Sequence, residues 1–281
     1  MYGRAWEAFP AEWKAQPASV AVVIGTGWNR ILPGALFSGS PAQGIDFTDL
    51  PGLRAPDPTL SHRGRFLLHY VNTQPVLVID GRLHYYDTLD LAQSSLPLWL
   101  ALKLGARTIV LTNASGALNP SYELGEIVAL KDAGTLHTDP LWGIPRGLFS
   151  HRKFIWPTAP FSPRLRDGFR EACQRVGREM REGHYYYLPG PVSQTPFGAE
   201  MLRRLGADMV GMSTYCEALQ AAVSGAEVLA LSCITDHAGL DGRASPTATE
   251  VGAVYERASR QYGDVLEDFI RSLIEGAPAK G

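Results

Sequence analysis

Five strings in this chain place glycine, hydroxyl, aromatic or charged residues where they could do chemistry. Val22–Asn29 (VVIGTGWN) runs an apolar stretch into Gly25, Thr26 and Gly27. Such a turn offers backbone N–H groups and a hydroxyl to an anion. A tight turn that only needs glycine dihedrals explains it as well. Asp80–Asp87 (DGRLHYYD) sets Arg82 and His84 at alternate positions, so an extended backbone points both the same way. A guanidinium beside an imidazole suits a phosphate oxyanion. A surface Arg–Asp pair with a packed histidine is the plainer alternative, but Tyr85, Tyr86 and Asp87 tilt the string towards a sugar-binding wall. Thr112–Pro120 (TNASGALNP) is small enough for a ligand to approach the backbone closely. Pro189–Glu217 runs from PGPVSQTP through GADMVGMST to YCE and delivers Ser213 to the end of an apolar run. Ser232–Gly239 (SCITDHAG) sets Asp236 and His237 after another.

The elements that must hold these strings are alternating strands and helices. Val20–Ile24, Pro75–Ile79, Thr108–Thr112, Ile127–Lys131, Met209–Met212 and Val228–Thr235 are short apolar runs bounded by Gly, Pro, Asn or Asp. They read as strands buried on both faces. Leu91–Leu104 has helical spacing with Gly105 closing it, and Pro163–Val176 opens behind Ser162 as N-cap. Phe197–Leu205, Cys216–Ser224 and a long Thr249–Leu273 complete the helices. The expectation is an α/β fold in one domain spanning residues 1–281, a central mixed β-sheet flanked by helices. The proline-rich stretch Gly134–Pro163 reads as a functional loop. In such sheets ligands bind at the carboxyl ends of strands, so the five strings look like one site.

Bulk properties narrow the partners. A net charge of -2 gives no excess positive charge for nucleic acid or anionic membrane. Three cysteines, Cys173, Cys216 and Cys233, form no C-x-x-C pair, so neither a disulfide framework nor a zinc site is expected. The opening MYGRAWEAFPAEW has no apolar core of signal-peptide length, and no stretch approaches the roughly 20 apolar residues of a membrane span. A cytoplasmic protein without metal or organic cofactor is expected.

In this order the strings resemble the trimeric purine nucleoside phosphorylase and methylthioadenosine phosphorylase family, over roughly residues 20 to 260. GTG stands where that family has its Gly-Ser-Gly phosphate loop, and GRLHYYD resembles its G-R-x-H-x-Y-E segment. TNASGALNP resembles its T-N-A-A-G-G-L-N-P, and GADMVGMSTYCE its G-A-D-x-V-G-M-S-T-x-P-E. The resemblance implies phosphorolysis of a purine nucleoside to free base and ribose 1-phosphate, with inorganic phosphate as co-substrate. It puts phosphate at Thr26, His62, Arg82, His84, the backbone at Ala114, and Ser213. Ribose falls to Tyr86, Met212 and Tyr185, with Phe149 reaching across the interface of a homotrimer. The base falls to Ser193, Gln194 and Asp236.

The departures bear on substrate. The 6-oxopurine members carry G-P-x-F-E-T, where this chain has Gly190 to Thr195 with Ser193 and Gln194 in place of the aromatic and the carboxylate. They also place asparagine after the I-T of the last strand; Asp236 stands here, as in the 6-aminopurine branch, but Ala238 replaces that branch's second aspartate. Cys216 replaces the family proline, and no reactive role is assigned to it.

Breaking the glycosidic bond builds positive charge on ribose and negative charge on the purine, so phosphate would stabilise the sugar cation and then capture it. His84 and Asp236 are the expected catalytic residues, Asp236 by hydrogen bonding or proton donation at N7. Asp236 accepting from a 6-amino group and Gln194 donating to N1 suit adenine; Gln194 in the opposite sense suits inosine or xanthosine. The reading leans to 6-aminopurines. A nucleoside hydrolase would lack the phosphate shell, and a nucleoside-binding protein without turnover remains an alternative. A dinucleotide oxidoreductase is disfavoured by Arg30 at the third glycine position.

Overall fold

Strand β1 (Val20–Ile24) shows why the chain folds as a covered sheet. Val20, Val22 and Ile24 enter one apolar core while Ala21 and Val23 enter another. The two-residue period of a strand thus buries both of its faces. The computed structural model describes residues 1–32, 34, 43–57, 62–137, 159–240 and 246–276. Before and just after β1 lie α1 (Tyr2–Ala8), α2 (Ala11–Lys14) and α3 (Trp28–Ile31). An edge hairpin follows, β2 (Gln43–Asp46) with β3 (Arg65–Val71), and then β4 (Gln74–Asp80). The chain continues through α4 (Tyr85–Thr88), α5 (Leu91–Lys103), β5 (Thr108–Ala117) and β6 (Ile127–Gly134). It ends with α6 (Pro163–Arg175), β7 (Arg181–Tyr187), α7 (Pro196–Arg204), β8 (Met209–Gly211), α8 (Tyr215–Val223), β9 (Glu227–Asp236) and α9 (Ala248–Glu275).

The nine strands form one mixed sheet in the order β2-β3-β4-β1-β5-β8-β7-β6-β9. Strand β5 also pairs with β9, parallel from Thr108 to Gly116. That extra pairing joins the two ends of β5-β8-β7-β6-β9 into a closed five-stranded ring, so half the sheet is open and half is a small barrel. Closure removes the exposed edge that β9 would otherwise present. Helices cover both faces: α1, α5 and α8 pack on one core, and α3, α6 and α9 on the other. A smaller cluster seats α7 through Ala199 and Leu202 against Leu118, Val210 and Ala238.

The helix boundaries follow local chemistry. Ser162 caps α6 by accepting from Leu165 N, with Pro163 in the first turn. Gly105, past the end of α5, has φ 106°, which its missing Cβ permits. Helix α9 starts at a reciprocal capping box between Thr247 and Glu250. One expectation needs correction. The strand read as Thr108–Thr112 does not stop there; β5 runs on through Ala117, with an irregularity between Ser115 and Gly116, so most of TNASGALNP lies within it. The mixed character of the sheet reaches the site through β8, which runs antiparallel to β5 and carries Ser213 back towards the middle of that strand.

Candidate active site

The loop after β1 passes so close to its neighbours that only glycine fits. A Cβ on Gly25 would strike the Thr112 carbonyl and lie 2.8 Å from Arg82 Nη1. Gly27 takes φ 76°, and a Cβ there would enter the Tyr255 ring of α9. The loop is tied down by Gly25 N, which donates to Thr112 Oγ1 at 2.8 Å, and by Trp28 Nε1, which donates to the Asn113 carbonyl at 2.7 Å. Thr26 is thereby set at the wall of a cavity of about 200 Å³.

Arg82, two residues past β4, reaches the same wall with only 3% of its surface exposed. Its Nη1 donates to the Thr112 carbonyl at 2.9 Å, while Nε and Nη2 lie 3.4 and 3.3 Å from the two carboxylate oxygens of Glu217. Nη2 is out of hydrogen-bonding alignment with any partner. His84 heads α4, where Asp87 Oδ2 accepts from its backbone N at 2.8 Å and stands 3.5 Å from its ring Nδ1. Burial alone would raise the Asp87 carboxyl, but hydrogen bonds from His84 outweigh it and hold the group below the usual range. The His84 ring stacks on Tyr86 at 4.8 Å.

His62 sits behind these groups, its Nε2 3.2 Å from Thr26 Oγ1. Burial, with the Arg82 and His84 charges added, pushes its pKa down to about 3, so the imidazole is neutral near neutral pH.

Ser213 closes this end from the α8 side. Tyr185 Oη donates to the Ser213 carbonyl at 3.1 Å and accepts from Ser213 N at 3.2 Å. Burial pushes the Tyr185 phenol up to about 12. Next along the chain, Thr214 adopts φ 69° although it is not glycine and is 1% exposed. It is held by Asn113 Nδ2, which donates to Thr214 Oγ1 at 2.9 Å. Asn113 Oδ1 in turn accepts from Ser115 Oγ at 2.9 Å and Ser232 Oγ at 2.5 Å. A satisfied polar network of this kind, spanning β5, β9 and the start of α8, fixes a unique arrangement inside an apolar core.

The opposite end of the cavity is lined by Ser193, Gln194, Thr235 and Asp236. Asp236 Oδ1 accepts from Ala238 N at 2.7 Å, and Oδ2 accepts from Thr235 Oγ1 at 3.1 Å. Gln194 Nε2 donates to the Ala238 carbonyl at 2.7 Å, while its Oε1 accepts from Ser193 Oγ at 2.8 Å. Beyond these residues a wider groove continues past His237 towards the start of α9.

The structure therefore brings Thr26, Arg82, His84, Ala114, Met212, Ser213, Ser193, Gln194 and Asp236 to one cavity wall. Tyr86 stands one layer back, against His84 and close to Gly190, whose added Cβ would lie 2.6 Å from Met212 Sδ. That position for Tyr86 differs from expectation, and so do two other placements. His62 does not line the cavity but backs Thr26. Tyr185 is 1% exposed and acts on Ser213 rather than facing the cavity, because the alternation along β7 turns it into the core. Phe149 lies outside the described residues. Asn113, Thr214, Ser232 and Glu217 were missed as a network. Asn113 and Ser232 signalled themselves only as polar residues inside apolar strands, and Thr214 and Glu217 by the T-x-x-E spacing of a capping box. Among the described residues no group of His, Cys, Asp and Glu is arranged to hold a metal ion, and no helix is long and apolar enough to cross a membrane.

One end of the cavity thus offers cationic and hydroxyl donors, and the other offers paired amide and carboxylate groups about a peptide unit. The family model of the phosphorylase superfamily matches residues 20–271. Purine nucleoside phosphorylase of Mycobacterium tuberculosis is 37% identical over 253 residues, covering 89% of this chain and 88% of that protein. Its Bos taurus namesake is 31% identical over 273 residues, covering 95% of this chain and 91% of that one. Schistosoma mansoni purine nucleoside phosphorylase in complex with adenosine has a TM-score of 0.82 at 25% identity, covering 99% of this chain and 98% of the other.

Proposed function

Because the chain belongs to the phosphorylase superfamily and, within it, to the purine nucleoside phosphorylase family, we propose that its cavity holds a purine nucleoside against inorganic phosphate and transfers the ribosyl group between them. As a member of that family the chain is a pentosyltransferase. The observation that carries the reading is the polarity of one cavity: Arg82, His84, Thr26 and Ser213 at one end, Gln194 and Asp236 at the other.

In this reading the C1′–N9 bond breaks with its electron pair going to the purine, and a phosphate oxygen forms the new bond to C1′. Arg82 and the Ser213 and Thr26 hydroxyls hold the phosphate where its negative charge faces the sugar cation. His84, with Asp87 beside Nδ1, presents its other ring nitrogen as a hydrogen-bonding group at that junction. Asp236 stands at the base end, where only its protonated form would donate to N7 and relieve charge on the leaving base.

For the base, the reading favours 6-aminopurine nucleosides. Both Asp236 oxygens already act as acceptors, which suits an exocyclic amino donor. The Gln194 amide, anchored through one N–H to Ala238, keeps its second N–H for an unprotonated N1. The alternative is a 6-oxopurine nucleoside, and the Schistosoma mansoni enzyme has been seen with inosine as well as adenosine. The proposal includes a homotrimer. The number three comes from the family resemblance, and Val192 and Phe197, 83% and 78% exposed by the base end, fit cover by another subunit.

The test is base release from adenosine, methylthioadenosine, inosine, guanosine and xanthosine, each with and without phosphate. Phosphate-dependent release fastest on adenosine or methylthioadenosine is expected. Release that ignores phosphate would mean a hydrolase, and no release would leave a binding role.

A further inference from the structure

Glu217 contacts both halves of the anion end, yet it does not line the cavity that Arg82 and Ser213 share with Gln194 and Asp236. It occupies the third position of α8, 13% exposed, with its carboxylate turned back over the helix start. Oε2 accepts from Thr214 N at 3.0 Å and lies 3.3 Å from Arg82 Nη2; Oε1 lies 3.4 Å from Arg82 Nε. One carboxylate therefore bridges a cation arriving after β4 and a backbone turn arriving after β8.

Both partners need holding. Thr214 stays at φ 69° only because its surroundings over-determine it. Glu217 takes its N–H, Asn113 donates to its hydroxyl, and that hydroxyl also faces the backbone N–H of Glu217 in the capping box. The Thr214 hydroxyl also lies 3.1 Å from Ser213 Oγ, so the turn that Glu217 holds carries the Ser213 hydroxyl with it. Arg82 is a long side chain whose one firm hydrogen bond, to the Thr112 carbonyl, leaves the guanidinium free to swing about Nη1. Glu217 stops that rotation.

We propose that Glu217 is the positioning residue of the phosphate site, fixing the Arg82 guanidinium and the Ser213 hydroxyl at one separation before phosphate arrives. The proposal rests on the phosphorylase reading. It runs against simple charge counting, in which a carboxylate beside Arg82 repels phosphate and its removal should tighten binding.

The experiment uses the full chain with Glu217→Gln and Glu217→Asp. Three quantities are read: KM for phosphate at saturating nucleoside, KM for nucleoside at saturating phosphate, and the Tm rise produced by inorganic phosphate alone. Loss of a charge-assisted contact that orients a binding group predicts a rise of about tenfold in phosphate KM for Glu217→Gln. Nucleoside KM stays within about twofold and the phosphate-induced Tm rise shrinks in step. Glu217→Asp keeps the charge but is one methylene short of spanning both partners, so it behaves like the glutamine variant. It also supplies the measurement if the glutamine variant does not fold.

A phosphate KM that falls or stays put overturns the proposal. So does a parallel rise in both KM values, or an aspartate variant with wild-type phosphate KM. A wild-type enzyme indifferent to phosphate would instead remove the functional reading beneath it.

Discussion

Gly116→Ala separates the two ends of the cavity in one substitution. Gly116 lies in β5 and is not among the positive-φ residues, so alanine meets no left-handed backbone there. Its new Cβ, however, would stand 2.8 Å from Asp236 Oδ1 and 3.0 Å from Ala238 Cβ. Neither contact can persist, so the Asp236 carboxylate or the turn that follows it must move. That turn also anchors Gln194 through the Ala238 carbonyl, and both base-facing groups shift together. Overpacking of this size costs about 1–3 kcal/mol. Charged against nucleoside binding, that is a rise of about 5- to 150-fold in nucleoside KM. Arg82, His84 and Ser213 at the other end are untouched, so phosphate KM should stay within about twofold. The assay is steady-state phosphorolysis with each substrate varied at saturation of the other, alongside a thermal melt. An unchanged nucleoside KM in a folded variant, or an equal rise in phosphate KM, would refute the division of the cavity.

Three further outcomes are expected. Arg82→Ala removes charge-assisted hydrogen bonds of about 1.5–3 kcal/mol to phosphate, a loss of about 10- to 150-fold in kcat/KM for phosphate; near-normal turnover would sink the phosphate assignment. Asp236→Asn exchanges an acceptor for a group that can also donate, so the inosine-to-adenosine ratio of kcat/KM should rise by about tenfold, and an unmoved ratio would count against the base-end reading. His62 has a folded pKa of about 3 against 6.5 unfolded, so the unfolded chain binds the extra proton first. Its contribution is fully present above pH 6.5 and is lost as pH falls towards 3. Between pH 7 and 5 the loss is about 2 kcal/mol. In denaturant titrations His62→Gln should therefore lose less stability than wild type over that interval, and parallel profiles would show that the histidine is not buried neutral.

The residues at the cavity wall were legible because each rides on a string with its own local logic. Gly25 to Gly27 must turn, Arg82 and His84 alternate, and Asp236 ends an apolar run. What holds them was not legible. Asn113, Ser232 and Thr214 come from β5, β9 and the start of α8, and no spacing in the sequence links them. The ring closure was hidden for a similar reason. Strand β8 was read as Met209–Met212, but three residues do not name their partners, and its neighbour β7 (REGHYYY) has too little apolar, β-branched character to stand out. Tyr185 was assigned to ribose by the family resemblance, but the pleat of β7 decides which of Tyr185 and Tyr186 turns inward.

The peptide unit at Ala238 shows how backbone geometry can set specificity chemistry. Its N–H goes to Asp236 and its C=O takes a hydrogen from Gln194. Ala238 itself is 2% exposed at φ 52°, and Gly116 packs against it from β5. A carbonyl can only accept, so Gln194 must turn its NH₂ towards it, and the direction of the amide is settled before any base enters. A backbone N–H can only donate, so Asp236 is likewise held as an acceptor. The donor–acceptor sense of both groups is thus written by one peptide rather than by the ligand. A purine offering an amino group to Asp236 and a bare ring nitrogen to Gln194 meets that pattern without reorientation. A base presenting the reverse must first break a hydrogen bond to Ala238, and leaving a buried polar group unpaired costs about 1–3 kcal/mol. That cost falls only on the mismatched base, which makes it a term in discrimination rather than in affinity alone.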